Sequence, residues 1–315
     1  MTTTELFEAP EATAESAQQT VVGRSPWQLA WLRLRRDRLA MACAVFIGLL
    51  VLVAIFASPI SHAIGYSSTG QDRTHGITLD GLPVGPNSRH WFGTDNLGRD
   101  ILVRIIYGTQ VSLVVGVAAA AAAVFIGVVV GLCAGYFGPA VDSVLARVMD
   151  VVLSFPFLLF AIALVTVVGP SELVEIGVIA FFSWAAVGRI VRGQTLSIRE
   201  REYVEAARSL GAGDLRIMFV DVLPNLVAPV IVYTTLLIPV SIVFEATLSF
   251  LGVGIIPPTP SWGNMISDAQ SFYQVAWWFL VFPGLALIFT TLAFNLLGDS
   301  VRDALDPRSE RLFTK

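Results

Sequence analysis

Charge-free apolar stretches limit the folds open to this chain more than any other feature of its sequence. A helix needs about 20 residues to cross the ~30 Å hydrocarbon layer of a bilayer, because it rises about 1.5 Å per residue. It also satisfies its backbone hydrogen bonds internally, as a bilayer requires. Five stretches of this kind, free of Asp, Glu, Lys and Arg, lie at or within residues 39–60, 105–141, 151–171, 222–244 and 269–298. They predict five transmembrane helices.

A sixth crossing is predicted from topology rather than from length. Residues 176–188 are only thirteen uncharged positions between Glu175 and Arg189, which alone suggests a buried or interfacial helix. The third span should end outside, near Gly169 and Pro170, whereas the basic segment that follows Arg189 should lie inside, so one crossing must intervene. With 55% hydrophobic and 14% charged residues, the chain is expected to be an all-α polytopic membrane protein with six transmembrane helices.

The distribution of basic residues predicts the orientation. With six spans, sixteen of the twenty Lys and Arg residues fall on the inside, and both termini are then cytoplasmic. Residues 26–38, in which Trp and Leu alternate with Arg, are expected to form a helix on the inner surface, with a simple orientation signal as the alternative. Residues 1–25 are rich in Glu, Ala and Thr and are interpreted as a disordered acidic tail.

Several functions are excluded by residues that the chain lacks. Its single lysine is Lys315, so no P-loop, which needs a Lys after its second Gly, can be built. Its three histidines form no HExxH pair or Cys/His cluster, so we expect no catalytic residues, no metal site and no cofactor. Cys43 and Cys133 lie within apolar stretches and suggest packing rather than a disulfide. No nucleic-acid partner is expected.

Residues 202–225 form the most informative polar segment. Tyr203, Ala206, Ala207 and Leu210 make one apolar stripe at helical spacing, and Leu215, Met218, Phe219 and Val222 make a second. Gly211 can adopt the left-handed conformation that ends the first helix, and Asp214 can cap the second. The pattern predicts a helical hairpin on the inner side. The alternative is an amphipathic connector resting on lipid headgroups.

This segment resembles the EAA loop of permeases in binding-protein-dependent ABC importers. The likeness is carried by Glu205, Ala206 and Ala207, by Gly211, and by Leu223 and Pro224, at the spacing of that loop. Asp221 departs from it, because the family has an apolar residue there. The resemblance implies that Glu205 makes polar contact with a groove on a separate ATPase, that the two alanines pack closely against it, and that Gly211 makes the turn.

Other segments narrow the resemblance to the C-type permease of dipeptide, oligopeptide and nickel ABC importers. They are residues 90–100 (HWFGTDNLGRD), 248–252 (LSFLG), 257–264 (PPTPSWGN), 295–299 (NLLGD) and 306–308 (DPR). The resemblance implies the type I importer permease fold in a prokaryotic plasma membrane, with di- or oligopeptides as cargo. Nickel complexes and glutathione-like peptides are the alternative cargoes. The implied partners are a second homologous permease, one or two ATPase subunits, an extracytoplasmic substrate-binding protein and membrane lipid.

These features divide the chain into five parts. They are the tail 1–25, an interfacial helix and first span at 26–60, an extracytoplasmic segment at 61–104, the permease core at 105–300 with its coupling loop at 202–225, and a cytoplasmic tail at 301–315. Within the extracytoplasmic segment, Thr94 or Asp95 is expected to cap the helix of the second span.

Three residues are candidates for the transport pathway or its gate. Pro156 should kink the third span, and Phe250 and Leu251 lead into a proline-rich turn. An ion-coupled secondary transporter is the main rival function, and it would need ionisable groups at membrane depth. Counting twenty residues from Leu223 places Glu245 near the outer interface, so we expect no such group.

Overall fold

A computed structural model describes residues 26–306, and the regular structure in this range is helical apart from two isolated β-bridges. The first half contains α1 (Pro26–Arg36), α2 (Arg38–Ile55), α3 (Ala57–Ile64), α4 (Ile101–Tyr136), α5 (Pro139–Ser154) and α6 (Phe157–Val168). The second half contains α7 (Glu172–Arg199), α8 (Glu202–Ser209), α9 (Asp214–Arg216), a π-helical turn (Ile217–Val222), α10 (Leu223–Phe250), α11 (Trp262–Ala269) and α12 (Trp277–Leu305). The predicted acidic tail and the end of the C-terminal tail lie outside the described range.

Among residues 26–306, five helices are long and apolar enough to cross a membrane, and they account for five of the six predicted spans. They are α2, α4, α7, the continuous helix Asp214–Phe250 that ends as α10, and α12. The short segment 176–188 lies within the 28-residue helix α7, which is long and apolar enough to cross a membrane. The orientation from which a crossing was inferred there stays a prediction. The all-α fold is confirmed. The cytoplasmic placement of both termini stays a prediction.

The third predicted span is not one helix. α5 ends at Ser154 and α6 begins at Phe157, and their axes differ by 84°. Pro156 lies at the break as the residue before α6, with the extended backbone angles φ −64° and ψ 110°. A proline cannot donate the helical hydrogen bond and disfavours helix in the residue before it. The expected kink at Pro156 is therefore a full break, and the sixth span exists only if α5 and α6 are counted together.

α4 and α7 pack closely at the centre of the bundle. Gly127, Gly131 and Gly135 repeat at four-residue intervals along α4, so they share one face. A Cβ atom on Gly131 would lie 2.5 Å from the carbonyl oxygen of Gly188 in α7, and one on Gly135 would lie 2.5 Å from Cβ of Thr195. Small residues at such positions let two helix backbones approach closely in a membrane. The two helices have the most extensive contact of any helix pair in residues 26–306, and α10 packs against both.

α1, α2 and α12 meet at the side of the bundle. Asp37 caps α2 by accepting hydrogen bonds from the backbone N–H groups of Leu39 and Ala40, and it also accepts one from the hydroxyl of Ser300 in α12, at 2.8 Å. These bonds hold the pKa of the Asp37 carboxyl below its ordinary value. Arg33 of α1 donates to the backbone oxygen of Asp306 at 3.2 Å. The interfacial helix of the prediction is thus attached to the C-terminal end of α12.

A polar lobe, defined here as residues 65–100, precedes α4. Asp100 caps α4, because one of its carboxylate oxygens accepts from the backbone N–H of Val103 while the other contacts His90 Nδ1 at 2.8 Å. The expectation that Thr94 or Asp95 caps this helix was wrong. Thr94 instead donates to the backbone oxygen of Gly76 at 2.6 Å, and Asp95 pairs with Arg99 inside the lobe.

Candidate functional site

The segment predicted to be a hairpin begins with the short helix α8, which ends in a Schellman motif. The backbone N–H of Ala212 donates to the carbonyl of Ala207, and that of Gly211 donates to the carbonyl of Arg208. Gly211 has φ +83°, the left-handed conformation that glycine adopts without steric penalty. The predicted turn at Gly211 is present in the structure.

α8 presents its apolar stripe to the outside. Tyr203 is 45% exposed and Leu210 is 89% exposed, and Ala206 between them is exposed as well. Val204 is fully buried, and Ala207, three residues later, is half-buried against the same apolar cluster. These two residues fasten α8 to the bundle, while Tyr203, Ala206 and Leu210 of the predicted stripe lie on the protein surface.

The EAA-like residues lie on two elements. Glu205 is exposed, Ala206 and Ala207 are exposed and half-buried, and Gly211 makes the exposed turn, so these four belong to α8 and its end. Leu223 is half-buried and Pro224 is exposed, and both lie at the start of α10 beyond the π-helical turn. The structure thus brings the first four together on one short helix, and it places Leu223 and Pro224 on the other arm of the hairpin.

The second arm differs from the prediction. It is not a separate capped helix, because α9, the π-helical turn and α10 run on as one helix, Asp214–Phe250. Asp214 does not cap it: Gly213 precedes the first turn, and the Asp214 carboxylate accepts a hydrogen bond from the Tyr136 hydroxyl. The predicted second stripe is also split, since Met218 and Val222 are buried whereas Leu215 and Phe219 are 66% and 59% exposed.

The π-helical turn explains why the second stripe fails. A π-helix has hydrogen bonds from residue i to i+5, so its period is longer than the 3.6 residues from which the stripe was read. Asp221, the one departure from the EAA pattern, lies in this turn, and its backbone oxygen accepts from Asn225 Nδ2 at 2.7 Å.

An apolar cluster anchors the hairpin to the bundle. Its buried members are Leu132 and Tyr136 of α4, Val187 and Val191 of α7, Val204 of α8, and Ile217, Met218, Val222 and Leu226 of the second arm. Each fully buried aliphatic side chain contributes about 1.5–3 kcal/mol in water. The base of the hairpin is consequently firm, although its outer face is exposed among the residues that the structure describes, 26–306.

The three pathway candidates lie apart from the hairpin. Pro156 is exposed at the α5–α6 break, and its neighbour Phe157 stacks against Phe244 of α10 with ring centroids 4.2 Å apart. Phe250 is half-buried at the end of α10, and Leu251 after it is 47% exposed. The break in the third span therefore packs on α10 close to the end of that helix, where the other two candidates lie.

Two buried acids were missed. Glu245 is fully buried between helices, where it accepts hydrogen bonds from the hydroxyls of Ser112 (2.6 Å) and Ser249 (3.0 Å). Glu175 is 1% exposed, and a Cβ on Gly254 would meet both its Oε1 and the Ser249 hydroxyl within 2.6 Å. The depth of Glu245 near the outer interface stays a prediction, whereas its enclosure by α4 was not foreseen, because a count along one helix says nothing about which neighbours enclose it. Ser249, one turn after Glu245, was the available signal.

The lobe at the other end of α4 contains three of the six buried Asp, Glu and Arg side chains in residues 26–306, namely Asp95, Arg99 and Asp100. In the same range, no group of three or more His, Cys, Asp and Glu side chains is arranged to hold a metal ion. Asp95 instead faces two arginines: its Oδ2 lies 2.5 Å from Arg99 Nε and 3.5 Å from Arg104 Nε.

Comparisons with known proteins agree with this architecture. Residues 123–311 match the family described as binding-protein-dependent transport system inner membrane component, and residues 25–76 match the N-terminal TM domain of oligopeptide transport permease C. The chain is 40% identical over 299 residues to the dipeptide transport system permease protein DppC of Alkalihalophilus pseudofirmus, with 95% of each chain covered. It is 44% identical over 289 residues to the glutathione transport system permease protein GsiD of Escherichia coli, covering 90% of this chain and 91% of the relative.

A solved structure shares the fold. A chain in an inward-facing conformation of the MetNI methionine ABC transporter superposes with a TM-score of 0.55 at 16% sequence identity. The match covers 64% of this chain and 96% of that one. At this identity the likeness shows the fold alone.

Proposed function

The chain belongs to the family of binding-protein-dependent transport system inner membrane components, and from this premise we propose that it carries peptides and is driven by a separate ATPase through the hairpin. As a family member it is a multi-pass permease subunit of an ABC importer in the plasma membrane. This family membership excludes the ion-coupled secondary transporter as a function. The expected absence of ionisable groups at membrane depth is not needed for that conclusion.

The free outer face of the hairpin is the observation that carries the proposal. Tyr203, Leu210, Leu215 and Phe219 are large apolar side chains exposed on a firmly anchored base. Exposed apolar groups rimmed by charge are typical of protein interfaces, whose cores favour aromatic and aliphatic anchors. Here Glu205 makes polar contact with a groove on the ATPase, Ala206 and Ala207 allow close approach, and Gly211 sets the turn. Leu223 and Pro224 connect the hairpin to α10.

Peptides are the proposed cargo. The DppC relative is named for dipeptide transport and is 40% identical over 95% of the chain, which supports di- or oligopeptides. Glutathione is the second candidate, because the GsiD relative is 44% identical. Both cargoes are short peptides in the chemical sense, so one pathway suits either.

The proposed assembly supplies what the chain lacks. Its only lysine is at position 315, so ATP is hydrolysed by separate subunits. A second homologous permease supplies the other half of the pathway, and an extracytoplasmic binding protein delivers the cargo. Pro156, Phe250 and Leu251 are proposed to border or gate the pathway, because the α5–α6 break and the end of α10 are the irregular parts of otherwise continuous spans.

Charge reversal at Glu205 tests the coupling role. We expect Glu205→Arg to insert normally, while ATP-driven uptake of labelled dialanine or glutathione by reconstituted vesicles falls at least about tenfold, as a reversed charge at an interface costs several kcal/mol. Glu172→Arg is the matched control, since Glu172 is also exposed but lies at the opposite end of α7. Normal uptake by the Glu205 variant would refute the assignment.

A further inference from the structure

The last turn of α4 is hydrogen-bonded to the hairpin by a side chain that the EAA-like pattern does not include. Tyr136, the final residue of α4, is 4% exposed, and its hydroxyl donates to Asp214 Oδ1 at 2.8 Å. Asp214 is the first residue of the second arm, directly after the turn that ends α8. The ring of Tyr136 packs in the apolar cluster that also holds Val204 of α8. Tyr136 is therefore hydrogen-bonded to the second arm and shares an apolar cluster with the first.

The guanidinium of Arg199 binds the backbone at this end of α4. Arg199 is the last residue of α7, and its Nη1 donates to the carbonyl oxygens of Tyr136 (3.1 Å) and Gly135 (3.5 Å). The final carbonyls of a helix have no partner within it and carry partial negative charge, so a guanidinium is well suited to bind them. Tyr136 is thereby kept in place while its hydroxyl contacts the hairpin.

The connection from the hairpin to α4 is more rigid than its connection to α10. The hairpin is joined covalently to α10 through the π-helical turn Ile217–Val222, where the α-helical hydrogen-bond pattern is interrupted. Such turns inside a helix occur frequently at functional sites. α4, in contrast, is a continuous helix of 36 residues, roughly 54 Å long, and its glycine face is packed on α7. A displacement delivered through Tyr136 would move α4 and α7 together.

We propose that Tyr136 is a positioning residue that transmits movement of the hairpin to α4 through its hydrogen bond to Asp214. This inference rests on the proposed function, because it assumes that an ATPase moves the hairpin. The apolar contacts around Tyr136 hold the hairpin near the bundle but can slide, whereas the hydroxyl–carboxylate bond sets the register between them. α4 carries the displacement along its length towards the polar lobe at its N-terminal end.

The test measures coupling in the complete reconstituted transporter. Tyr136→Phe removes only the hydroxyl and leaves the ring in the apolar cluster. We expect the ratio of dialanine or glutathione imported to ATP hydrolysed to fall about five- to tenfold, the change that corresponds to losing one such bond, while ATP hydrolysis itself continues. Asp214→Ala should give the same loss, and the double variant should lose no more than either single one.

Two further variants separate positioning from structure. Asp214→Asn keeps an oxygen that accepts the hydrogen bond, so its coupling ratio should stay close to the parent value. Tyr233→Phe removes a hydroxyl from the exposed surface of α10 and should leave the ratio unchanged. An unchanged ratio in Tyr136→Phe, or an equal fall in transport and hydrolysis caused by lost assembly, would overturn the proposal.

The Glu205 variant distinguishes this failure from failure of the proposed function. If Glu205→Arg imports normally, the hairpin is not the coupling site, and the role of Tyr136 falls with it. If Glu205→Arg abolishes import while Tyr136→Phe keeps the parent ratio, the hairpin retains its role and only the hydrogen-bonded link is wrong.

Discussion

The two ends of α4 handle polar and apolar groups in opposite ways. At its N-terminal end, the polar lobe buries charged side chains and pairs them within the chain, as Asp95 and Arg99 show. At its C-terminal end, the hairpin exposes large apolar side chains such as Leu210 and Phe219. The buried Asp95–Arg99 pair is formed within the single chain, whereas large apolar groups exposed on a firm base are suited to contact with another protein.

Burial in the lobe extends to its neighbour α11. Asp268 of α11 faces Arg99, with a 3.7 Å separation between a carboxylate oxygen and the guanidinium. Burial raises the pKa of the Asp268 carboxyl, and the nearby Arg104 and Arg99 oppose that shift. The lobe and α11 therefore share one network of charges, and removal of a central member should disturb the whole network.

The largest expected effect comes from breaking that network at its centre. Asp95→Ala leaves the buried Arg99 and Arg104 without their shared carboxylate, and breaking a buried ion pair in this way costs about 3–5 kcal/mol. We expect a large fall in the thermal unfolding temperature of the detergent-purified subunit, measured by tryptophan fluorescence. Asp80→Ala, at an exposed position in the same lobe, is the control. Equal unfolding temperatures for the two variants would contradict the description of the lobe as internally paired.

A smaller, pH-dependent effect is expected at Asp72. The backbone N–H of His75, at 2.9 Å, is the main reason that the pKa of this carboxyl lies below its ordinary value. A lowered pKa means that the ionised form stabilises the folded state above the unfolded pKa of about 3.9, and that this contribution is lost as the pH falls through the folded value. Asp72→Asn should therefore cost about 1 kcal/mol at pH 7, and the cost should shrink progressively as the pH falls below about 3.9. A cost that did not shrink with falling pH would argue against a charge effect.

The smallest effect on the subunit itself is expected at the hairpin. Leu215 is 66% exposed, so Leu215→Ser should change the free energy of unfolding by no more than about 0.5 kcal/mol. The same variant should weaken co-purification of the ATPase subunits, because an exposed apolar anchor is lost. Leu79→Ser, at a fully exposed position in the polar lobe, should affect neither property. A hairpin variant that destabilised the isolated subunit as strongly as Asp95→Ala would remove the distinction between the two ends.

Local patterns predicted the turn of the hairpin but not its second arm. Gly211 was identifiable because few residues tolerate a positive φ, and that preference acts within a few residues of the chain. Asp214 was assigned to a cap by the same kind of reasoning, yet its carboxylate binds Tyr136, which is 78 residues away in sequence. The stripe containing Leu215 and Met218 failed because the helix there has a π-helical period.

The buried acids show the same limit of prediction from local sequence. Glu245 stands in an apolar stretch, and its hydrogen-bond partner Ser112 comes from α4, 133 residues earlier. Nothing in the local sequence states which helix face will meet α4. Even so, a serine one turn after a glutamate inside a span was a usable sign that the glutamate is held rather than exposed.

The sequence by itself determined that the chain is a multi-span membrane protein, five of its six predicted spans, the turn at Gly211 and the family resemblance. These depend on composition, on period and on residues close together in the chain. Tertiary structure decided how far the third span bends at Pro156, which charges of the lobe are paired, which stripe of α8 faces outwards, and that Tyr136 holds Asp214. Those outcomes depend on contacts between residues far apart in the chain, and such contacts form only when the helices pack.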